Sequence, residues 1–154
     1  MTTYAEIEDF LAQKRFAFAG VSRSARDFSR EIFREFRNKG YDPVPVHPLA
    51  AEIEGSQCFA RVRDIQPPID TVLLMTSQAV TASVVQDCIA AGIKRVWFYR
   101  GAATRALNDQ AIEQCRAAGL QVIPGECPLM FLPQAGVIHR FHGWVKKIRG
   151  TYPA

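Results

Sequence analysis

Long uncharged apolar runs are missing from this sequence of 154 residues. No stretch approaches the ~18 apolar residues that a membrane-spanning helix requires. The N-terminus also lacks the basic and then apolar segments of a secretory signal, because Glu6, Glu8 and Asp9 stand there instead. Both absences predict a cytoplasmic protein without a membrane partner. The length predicts one domain over residues 1–154, since it is too short for two domains of ordinary size.

Closely spaced cysteines are missing as well. The sequence has four cysteines and no CxxC pair: Cys58, Cys88, Cys115 and Cys127. Such spacing argues against a zinc site and against a disulfide scaffold, and it predicts reduced thiols. His139 and His142 share one predicted helix face, but no third ligand accompanies them. The sequence therefore predicts no metal site.

Acidic residues are absent after Glu126, although the chain has a formal net charge of +4. The basic residues of that segment are Arg140, Lys146, Lys147 and Arg149. They form either a solvated helix face or a surface for an anion or a nucleic acid. Few aromatic residues lie between them, and no helix-turn-helix or zinc-finger spacing is present, so nucleic-acid binding is not expected.

Two of the three glycines of the dinucleotide-binding fingerprint GxGxxG are missing from the stretch that organises the rest of the chain. Residues 16–19 have the apolar pattern of a short strand, and a tight loop at residues 20–24 and an amphipathic helix follow. A strand, a turn and a helix start bring backbone N–H groups and the positive end of a helix dipole to an anion. Only Gly20 remains from the fingerprint, since Ser22 and Ala25 replace the other glycines. The stretch predicts a phosphate-bearing ligand, not NAD in particular.

Strand and helix patterns alternate along the whole chain. The predicted strands cover residues 16–19, 42–46, 57–59, 70–75, 95–99 and 120–123. Five helices are predicted. The first ends near residue 12, the second covers residues 28–39, and the third starts at residues 76–78. The fourth runs from a Thr104 cap to residue 118, and the fifth covers residues 136–148. This alternation predicts an α/β fold: a three-layer, doubly wound, Rossmann-like arrangement with a mostly parallel sheet of five to six strands, an extra N-terminal helix and a C-terminal helix.

Ligands of parallel sheets bind outside the carboxyl ends of the strands, so the loops at those ends are candidate site walls. After the second strand, where an NAD site has an acid for the ribose, this chain has His47 followed by Pro48. His47 is either a surface loop residue or a residue that lies over a bound ribose or adenine. The missing acid argues against NAD.

Arginines supply the candidate cations for the phosphates. Those in the candidate loops are Arg23, Arg26 and Arg100. The others nearby, on the helix that follows the first loop, are predicted to lie on its exposed face and mainly to aid solubility: Arg30, Arg34 and Arg37.

Five short motifs then follow one another in a characteristic order. They are Gly20-Val21-Ser22, Val46-His47-Pro48, Gly55 with Phe59 and Ile65, Val96-Trp97 with Gly101, and Glu126-Cys127-Pro128. Together they resemble the small CoA-binding domain proteins, which are similar to the N-terminal domain of the succinyl-CoA synthetase alpha subunit. The resemblance covers roughly residues 12–130 and depends on the order and spacing of the motifs, not on any one of them.

The resemblance implies a Rossmann-like, single CoA-binding domain that holds coenzyme A or an acyl-CoA. The implied ligand contacts, together with the loop arginines, are Gly20, Val21, Ser22, Arg23, Arg26, His47, Pro48, Thr76, Ser77, Arg100, Gly101 and Cys127. The first loop would lie at the phosphates, Pro48 at the adenosine, and Gly101 and Cys127 at the far end. Three residues depart from the family pattern: His47 and Glu126 each replace an asparagine, and Tyr99 replaces a glutamine.

No nucleophile with an evident base and no carboxylate pair on one element is recognisable. The synthetases place their phosphorylated histidine in a further domain, for which this chain has no room. We therefore expect CoA binding without catalysis, with delivery of the cofactor to a protein partner left open, and Cys127 either buried and inert or close to the ligand. The alternatives are a small NAD(P)-linked oxidoreductase or redox sensor, and a docking module that has lost its ligand.

Overall fold

The computed structural model describes residues 2–99 and 109–133, and all structural statements concern these residues. The strands are β1 (Arg15–Ala19), β2 (Asp42–Val46), β3 (Glu52–Ile53), β4 (Ser56–Gln57), β5 (Thr71–Leu74), β6 (Arg95–Phe98) and β7 (Gln121–Pro124). The helices are α1 (Tyr4–Ala12), α2 (Phe28–Asn38), α3 (Gln78–Ala90) and α4 (Asp109–Ala117), with 3₁₀ turns at Val62–Asp64 and Pro128–Met130. The predicted Thr104 cap and the predicted C-terminal helix at residues 136–148 lie outside the described residues.

Five strands form one parallel sheet in the order β2-β1-β5-β6-β7. Beyond β2, Phe59 forms a single parallel bridge with Val46, and its N–H donates to the Pro45 carbonyl over 3.0 Å. With this edge residue counted as a strand, the order is that of the Rossmann fold. The prediction of a mostly parallel sheet of five to six strands is confirmed. The short predicted strand at residues 57–59 is divided between this bridge and β4, which pairs with β3 as an antiparallel hairpin.

Helices cover both faces of the sheet, because its strands are apolar on both sides. Alternate strand residues Phe18, Leu73, Trp97 and Ile123 lie in one buried cluster with residues of α1 and α2. Their neighbours along the strands lie in a second cluster with residues of α3 and α4. The predicted three-layer, doubly wound arrangement is therefore confirmed.

The predicted N-terminal helix is present as α1, and its start has a complete capping box. The Glu6 N–H donates to the Thr3 hydroxyl, and the Thr3 N–H donates back to the Glu6 carboxylate. Ile7 and Phe10 are fully buried, so α1 belongs to the core. In the portion of the chain that is described, no helix combines the length and apolarity needed to cross a membrane.

Candidate functional site

The predicted site residues follow the carboxyl ends of the parallel strands, so they share one edge of the sheet. Gly20, Val21, Ser22, Arg23 and Arg26 follow β1, His47 and Pro48 follow β2, Thr76 and Ser77 follow β5, and Cys127 follows β7. Arg100 and Gly101, predicted for the loop after β6, lie outside the described residues. We refer to residues 20–27 as the β1 loop.

Gly20 allows the β1 loop and the segment after β5 to meet at the level of the backbone. Its φ is +90°, and a Cβ at this position would lie 2.4 Å from the Met75 carbonyl carbon and 2.5 Å from the Thr76 nitrogen. The Met75 N–H donates to the Ala19 carbonyl over 2.8 Å just below this contact. Only glycine satisfies both the positive φ and the close approach.

The β1 loop is held at its start by serine hydrogen bonds. The Ser22 N–H donates to the Ser29 hydroxyl over 2.8 Å, and the Ser24 N–H donates to the Ser22 hydroxyl over 3.1 Å. The amides of Arg23, Ala25 and Arg26 donate to no acceptor within the described part of the chain. These three amides are therefore available to an anion.

The N-terminus of α2 is occupied by the chain's own carboxylate. Asp27 is the N-cap, and its Oδ1 accepts from the Ser29 N–H at 2.9 Å and from the Ser29 hydroxyl at 2.6 Å. From the sequence we expected a ligand phosphate at this helix end, but in the structure the Asp27 carboxylate occupies it. An anion at this corner would therefore depend on the loop amides and on side-chain cations.

Two arginines of the β1 loop have no side-chain partner in the described part of the chain. Among residues 2–99 and 109–133, three arginines form neither an ion pair nor a side-chain hydrogen bond: Arg23, Arg26 and Arg61. Arg23 and Arg26 are exposed. A guanidinium without a competing carboxylate can offer its paired N–H donors to a phosphate.

Arg30 does not lie on an exposed face, so its predicted role in solubility is wrong. It is only 9% exposed. Its Nη1 donates to the carbonyls of Ser22 and Arg23, over 3.1 and 3.2 Å. Its Nε and Nη2 donate to Glu54 Oε1, over 2.9 and 2.6 Å. Arg30 thus connects the β1 loop to the β3–β4 hairpin.

Arg34 and Arg37 extend the same connection. Arg34 donates through Nη2 to the Ala25 carbonyl over 3.0 Å and through Nε to Glu54 Oε1 over 2.9 Å. Arg37 donates to the Glu54 backbone carbonyl over 2.5 Å. Only one feature of the sequence pointed to this shared role: the spacing of Arg30, Arg34 and Arg37 places all three along one side of α2. The sequence alone did not indicate a common acceptor.

His47 extends from the end of β2 at a half-buried position, where its backbone N–H donates to the Phe59 carbonyl over 2.9 Å. Its Nδ1 accepts from the Leu49 N–H over 3.0 Å, so the proton of the neutral ring lies on Nε2. Burial lowers the pKa of His47 below its ordinary value of 6.5, and the positive charge of Arg23 lowers it further. At neutral pH His47 is therefore an uncharged donor beside Arg23.

Replacing Arg23 with alanine is expected to raise the pKa of His47, because the Arg23 charge disfavours the imidazolium. An NMR pH titration of the imidazole ring, assigned with His47→Gln, measures this directly. Arg116→Ala removes a charge on α4 and should leave the His47 titration unchanged. An unchanged His47 pKa in Arg23→Ala would show that the two side chains are not neighbours.

Because folding lowers this pKa, the stability that neutral His47 contributes is lost as the pH falls through the folded-state value.

Thr76 and Ser77 form the start of α3. The Thr81 hydroxyl donates to the Ser77 carbonyl over 2.7 Å, so the buried Thr76 hydroxyl, 2.8 Å away, donates to the Thr81 oxygen. Ser77 is exposed and forms no side-chain capping bond as the N-cap of α3. The Thr76 hydroxyl is therefore fixed by a buried contact with Thr81, whereas Ser77 is exposed to solvent.

The far end of the site is built by β6 and β7 together. The Tyr99 hydroxyl is hydrogen-bonded to the Cys127 thiol, and burial followed by this bond raises the pKa of Tyr99. The Trp97 indole N–H donates to the Glu126 carbonyl over 2.7 Å. The Phe28 ring at the start of α2 packs against the Tyr99 ring, with centroids 6.4 Å apart. Two of the departures from the family pattern, Tyr99 and Glu126, thus lie within one connected corner.

The rim of this edge includes exposed apolar side chains, which we call the apolar rim. Three large apolar side chains are exposed on it: Phe28 (37%), Leu49 (72%) and Val80 (46%). They belong to the start of α2, the segment after β2 and the first turn of α3, which all begin at the carboxyl ends of strands. Such a rim can contact the apolar part of a ligand. Within the described ranges no cluster of three metal-ligating side chains is present.

Comparison with known proteins gives the chain its family. The protein YneT of Bacillus subtilis, named as uncharacterized, is 25% identical over 124 residues, which cover 80% of this chain and 89% of the relative. Acetate–CoA ligase (ADP-forming) of Methanocaldococcus jannaschii is 25% identical over 81 residues, which cover 53% of this chain and only 12% of the ligase. A solved structure of a hypothetical protein from Pyrococcus horikoshii has a TM-score of 0.74 and 27% identity, with 83% of this chain and 87% of that chain covered.

A second solved structure agrees in fold alone. It is the dinucleotide-forming acetyl-coenzyme A synthetase 1 of Ca. Korarchaeum cryptofilum in complex with phosphate and ADP, with a TM-score of 0.61 and 21% identity over 73% of this chain and 25% of that chain. The family profile described as the CoA binding domain matches residues 14–133, which is most of the sequence. The resemblance stated from the motifs is thereby confirmed, and the chain belongs to the CoA-binding domain family.

Proposed function

We propose that this protein binds coenzyme A or an acyl-CoA at the carboxyl ends of its parallel strands, and that it does so without catalysis of its own. The observation that carries the proposal is the β1 loop, where three amides and two arginine side chains with no acceptor among residues 2–99 and 109–133 occur together. Pyrophosphate groups bind to such combinations of backbone N–H groups and guanidinium groups. The family membership supports the same ligand.

The remaining loops fit the other parts of CoA. Neutral His47 offers an Nε2–H donor at the end of β2, next to exposed Pro48 and Leu49, where an adenosine would lie. The apolar rim and the Tyr99–Cys127 corner lie further along the same edge, in the direction in which the pantetheine chain would extend. In this proposal, Thr76 and Ser77 line the crevice between the two ends.

Binding without catalysis is supported by the partners of the two most reactive side chains. Cys127 is hydrogen-bonded to the Tyr99 phenol, whose raised pKa keeps it protonated at neutral pH, so this partner does not act as a base toward the thiol. His47 uses Nδ1 to accept a backbone hydrogen bond, which leaves no acceptor nitrogen for a nucleophile. A single domain over residues 1–154, a cytoplasmic location and delivery of the cofactor to a protein partner stay predictions from the sequence.

Titration calorimetry with CoA, acetyl-CoA, ADP, NAD⁺ and NADP⁺ tests the proposal. We expect saturable binding of CoA and acetyl-CoA, weaker binding of ADP, and no measurable binding of NAD⁺. Clear nicotinamide binding without CoA binding would overturn the proposal.

One observation favours a second candidate. Arg23 lies close enough to His47 to affect its titration, and an arginine at the end of the second strand is what a 2′-phosphate of NADP requires. An NADP-linked oxidoreductase is therefore the alternative, and preference for NADP⁺ over both CoA and NAD⁺ in the same titration would support it.

A further inference from the structure

We propose that Glu54, at the tip of the β3–β4 hairpin, is a positioning residue that holds the β1 loop in its anion-binding shape. This inference rests on the proposed function of that loop. Glu54 is distant from the loop in sequence, and the arginines of α2 connect it to the loop.

The path from Glu54 to the loop consists of short, charge-assisted hydrogen bonds. Glu54 Oε1 accepts from Arg30 and Arg34 at 2.6 to 2.9 Å. The same two guanidinium groups donate to the carbonyls of Ser22, Arg23 and Ala25 at 3.0 to 3.2 Å. Carbonyls that accept these bonds point toward α2. The Glu54 carboxylate fixes the arginines, and the arginines fix three carbonyls of the loop backbone.

The hairpin that carries the Glu54 carboxylate is held in place by packing and by a backbone hydrogen bond. Ile53 is buried in the cluster shared with α1 and α2, and the Cys58 N–H donates to the Ala51 carbonyl over 2.9 Å at the base of the hairpin. Hydrogen bonds from Arg34 and Arg30 also hold the pKa of Glu54 below its ordinary value, so the group stays ionised at neutral pH.

The residue type at the tip is unusual for the backbone. Glu54 has φ +51° and Gly55 has φ +75°, the positive values that a two-residue type I′ turn requires. Glycine, asparagine and aspartate are the residues normally found in such turns, and a glutamate there is disfavoured by its backbone conformation. A side-chain role that offsets this strain explains why glutamate occupies the position.

Charge alone and positioning predict opposite results when Glu54 is neutralised. Glu54→Gln removes a negative charge close to an anion site, so electrostatics alone would tighten the binding of a phosphate ligand. Loss of positioning would weaken the binding, because the loop amides and Arg23 would no longer be preorganised. The sign of the change therefore separates the two roles.

The test measures hydrogen exchange of residues 20–27 in the ligand-free protein, together with the affinity for CoA. For Glu54→Gln we expect exchange of the hydrogen-bonded amides of Ser22, Ser24 and Asp27 to accelerate about tenfold and the Kd for CoA to rise about tenfold, as loss of a charge-assisted hydrogen bond would give. Glu113→Gln is the matched control, since Glu113 pairs with Arg116 at an exposed site on α4. It should change neither measurement.

Arg34→Gln provides a second variant, because Arg34 is largely exposed and its loss leaves the core intact. It should accelerate exchange at the hydrogen-bonded amides of Ser24 and Asp27 in the same way. Unchanged loop exchange in both variants, or tighter CoA binding by Glu54→Gln, would overturn the inference. If the wild-type protein binds no CoA, the proposed function fails, and the exchange measurement still decides whether Glu54 holds the loop.

Discussion

Gly20→Ala is expected to destabilise the protein by roughly 3–5 kcal/mol, the sum of backbone strain and of overpacking against a neighbouring backbone. The added Cβ would lie 2.4 Å from the Met75 carbonyl carbon, which cannot rotate away as a flexible side chain would. The β1 and β5 segments would have to separate at the centre of the sheet. Urea unfolding followed by circular dichroism measures the change.

Gly40→Ala is the matched control for this prediction. Gly40 ends α2 with φ +84°, but a Cβ there would meet nothing within 4 Å. Its substitution should destabilise by about 1–2 kcal/mol, the strain of a left-handed residue alone. Equal losses at the two positions would mean that the contact of Gly20 with Met75 and Thr76 is unimportant. Any Gly20→Ala protein that remains folded should also bind CoA less well, because the β1 loop starts at this contact.

The fold was predictable because its determinants are local. The core strands β1, β5 and β6 are continuous apolar runs, and a glycine follows α2 and α3, so the alternation of strand and helix is visible without any tertiary information. Even the two prolines of β2 agree with the observed pairing. The Pro45 carbonyl faces Phe59, so Pro43 and Pro45 lack their N–H groups on the side of β2 that is turned away from β1. The pairing of β2 with β1 therefore loses no donor.

The candidate site was predictable only as a set of loops. The order of the strands brings the segments after β1, β2, β5 and β7 to one edge, and this follows from the α/β pattern alone. The α/β pattern does not indicate which side chains in those loops already have hydrogen-bond or ion-pair partners. Asp27 directly precedes α2 in the sequence, but only the structure reveals that its carboxylate caps the helix and occupies the end at which a phosphate was expected.

The arginines of α2 illustrate the limit most clearly. Their interleaving with Glu31 and Glu35 is typical of an exposed helix face, and this pattern suggested solubility. Their acceptor, Glu54, lies on a separate hairpin whose placement depends on the whole sheet edge. Long-range ion pairs of this kind leave no local signature. Arg30 and Arg34 are therefore engaged with the protein, whereas Arg23 and Arg26 form no ion pair with the described residues.

The double variant Arg23→Ala with Arg26→Ala is expected to weaken CoA binding about a hundredfold, if each guanidinium contributes one charge-assisted contact worth about tenfold in affinity. Both side chains are exposed and form no ion pair with the described residues, so their removal should leave the unfolding midpoint unchanged. Affinity is measured by calorimetry at two salt concentrations. The salt dependence of CoA binding should be smaller in the variant, because fewer charges face the ligand.

The control for this variant changes the net charge equally at a distance. Lys94→Ala with Arg116→Ala removes two exposed cations, whose carboxylate partners are Asp70 before β5 and Glu113 on α4. If the β1 loop binds the phosphates, this control should lose little affinity, since exposed charges further away than a Debye length of about 8 Å are largely screened at physiological salt. Similar losses in the two double variants would mean that overall charge, and not the β1 loop, attracts the ligand. A loss confined to the Arg23 and Arg26 variant would establish these two side chains as the phosphate contacts, because the rest of the loop is unchanged in it.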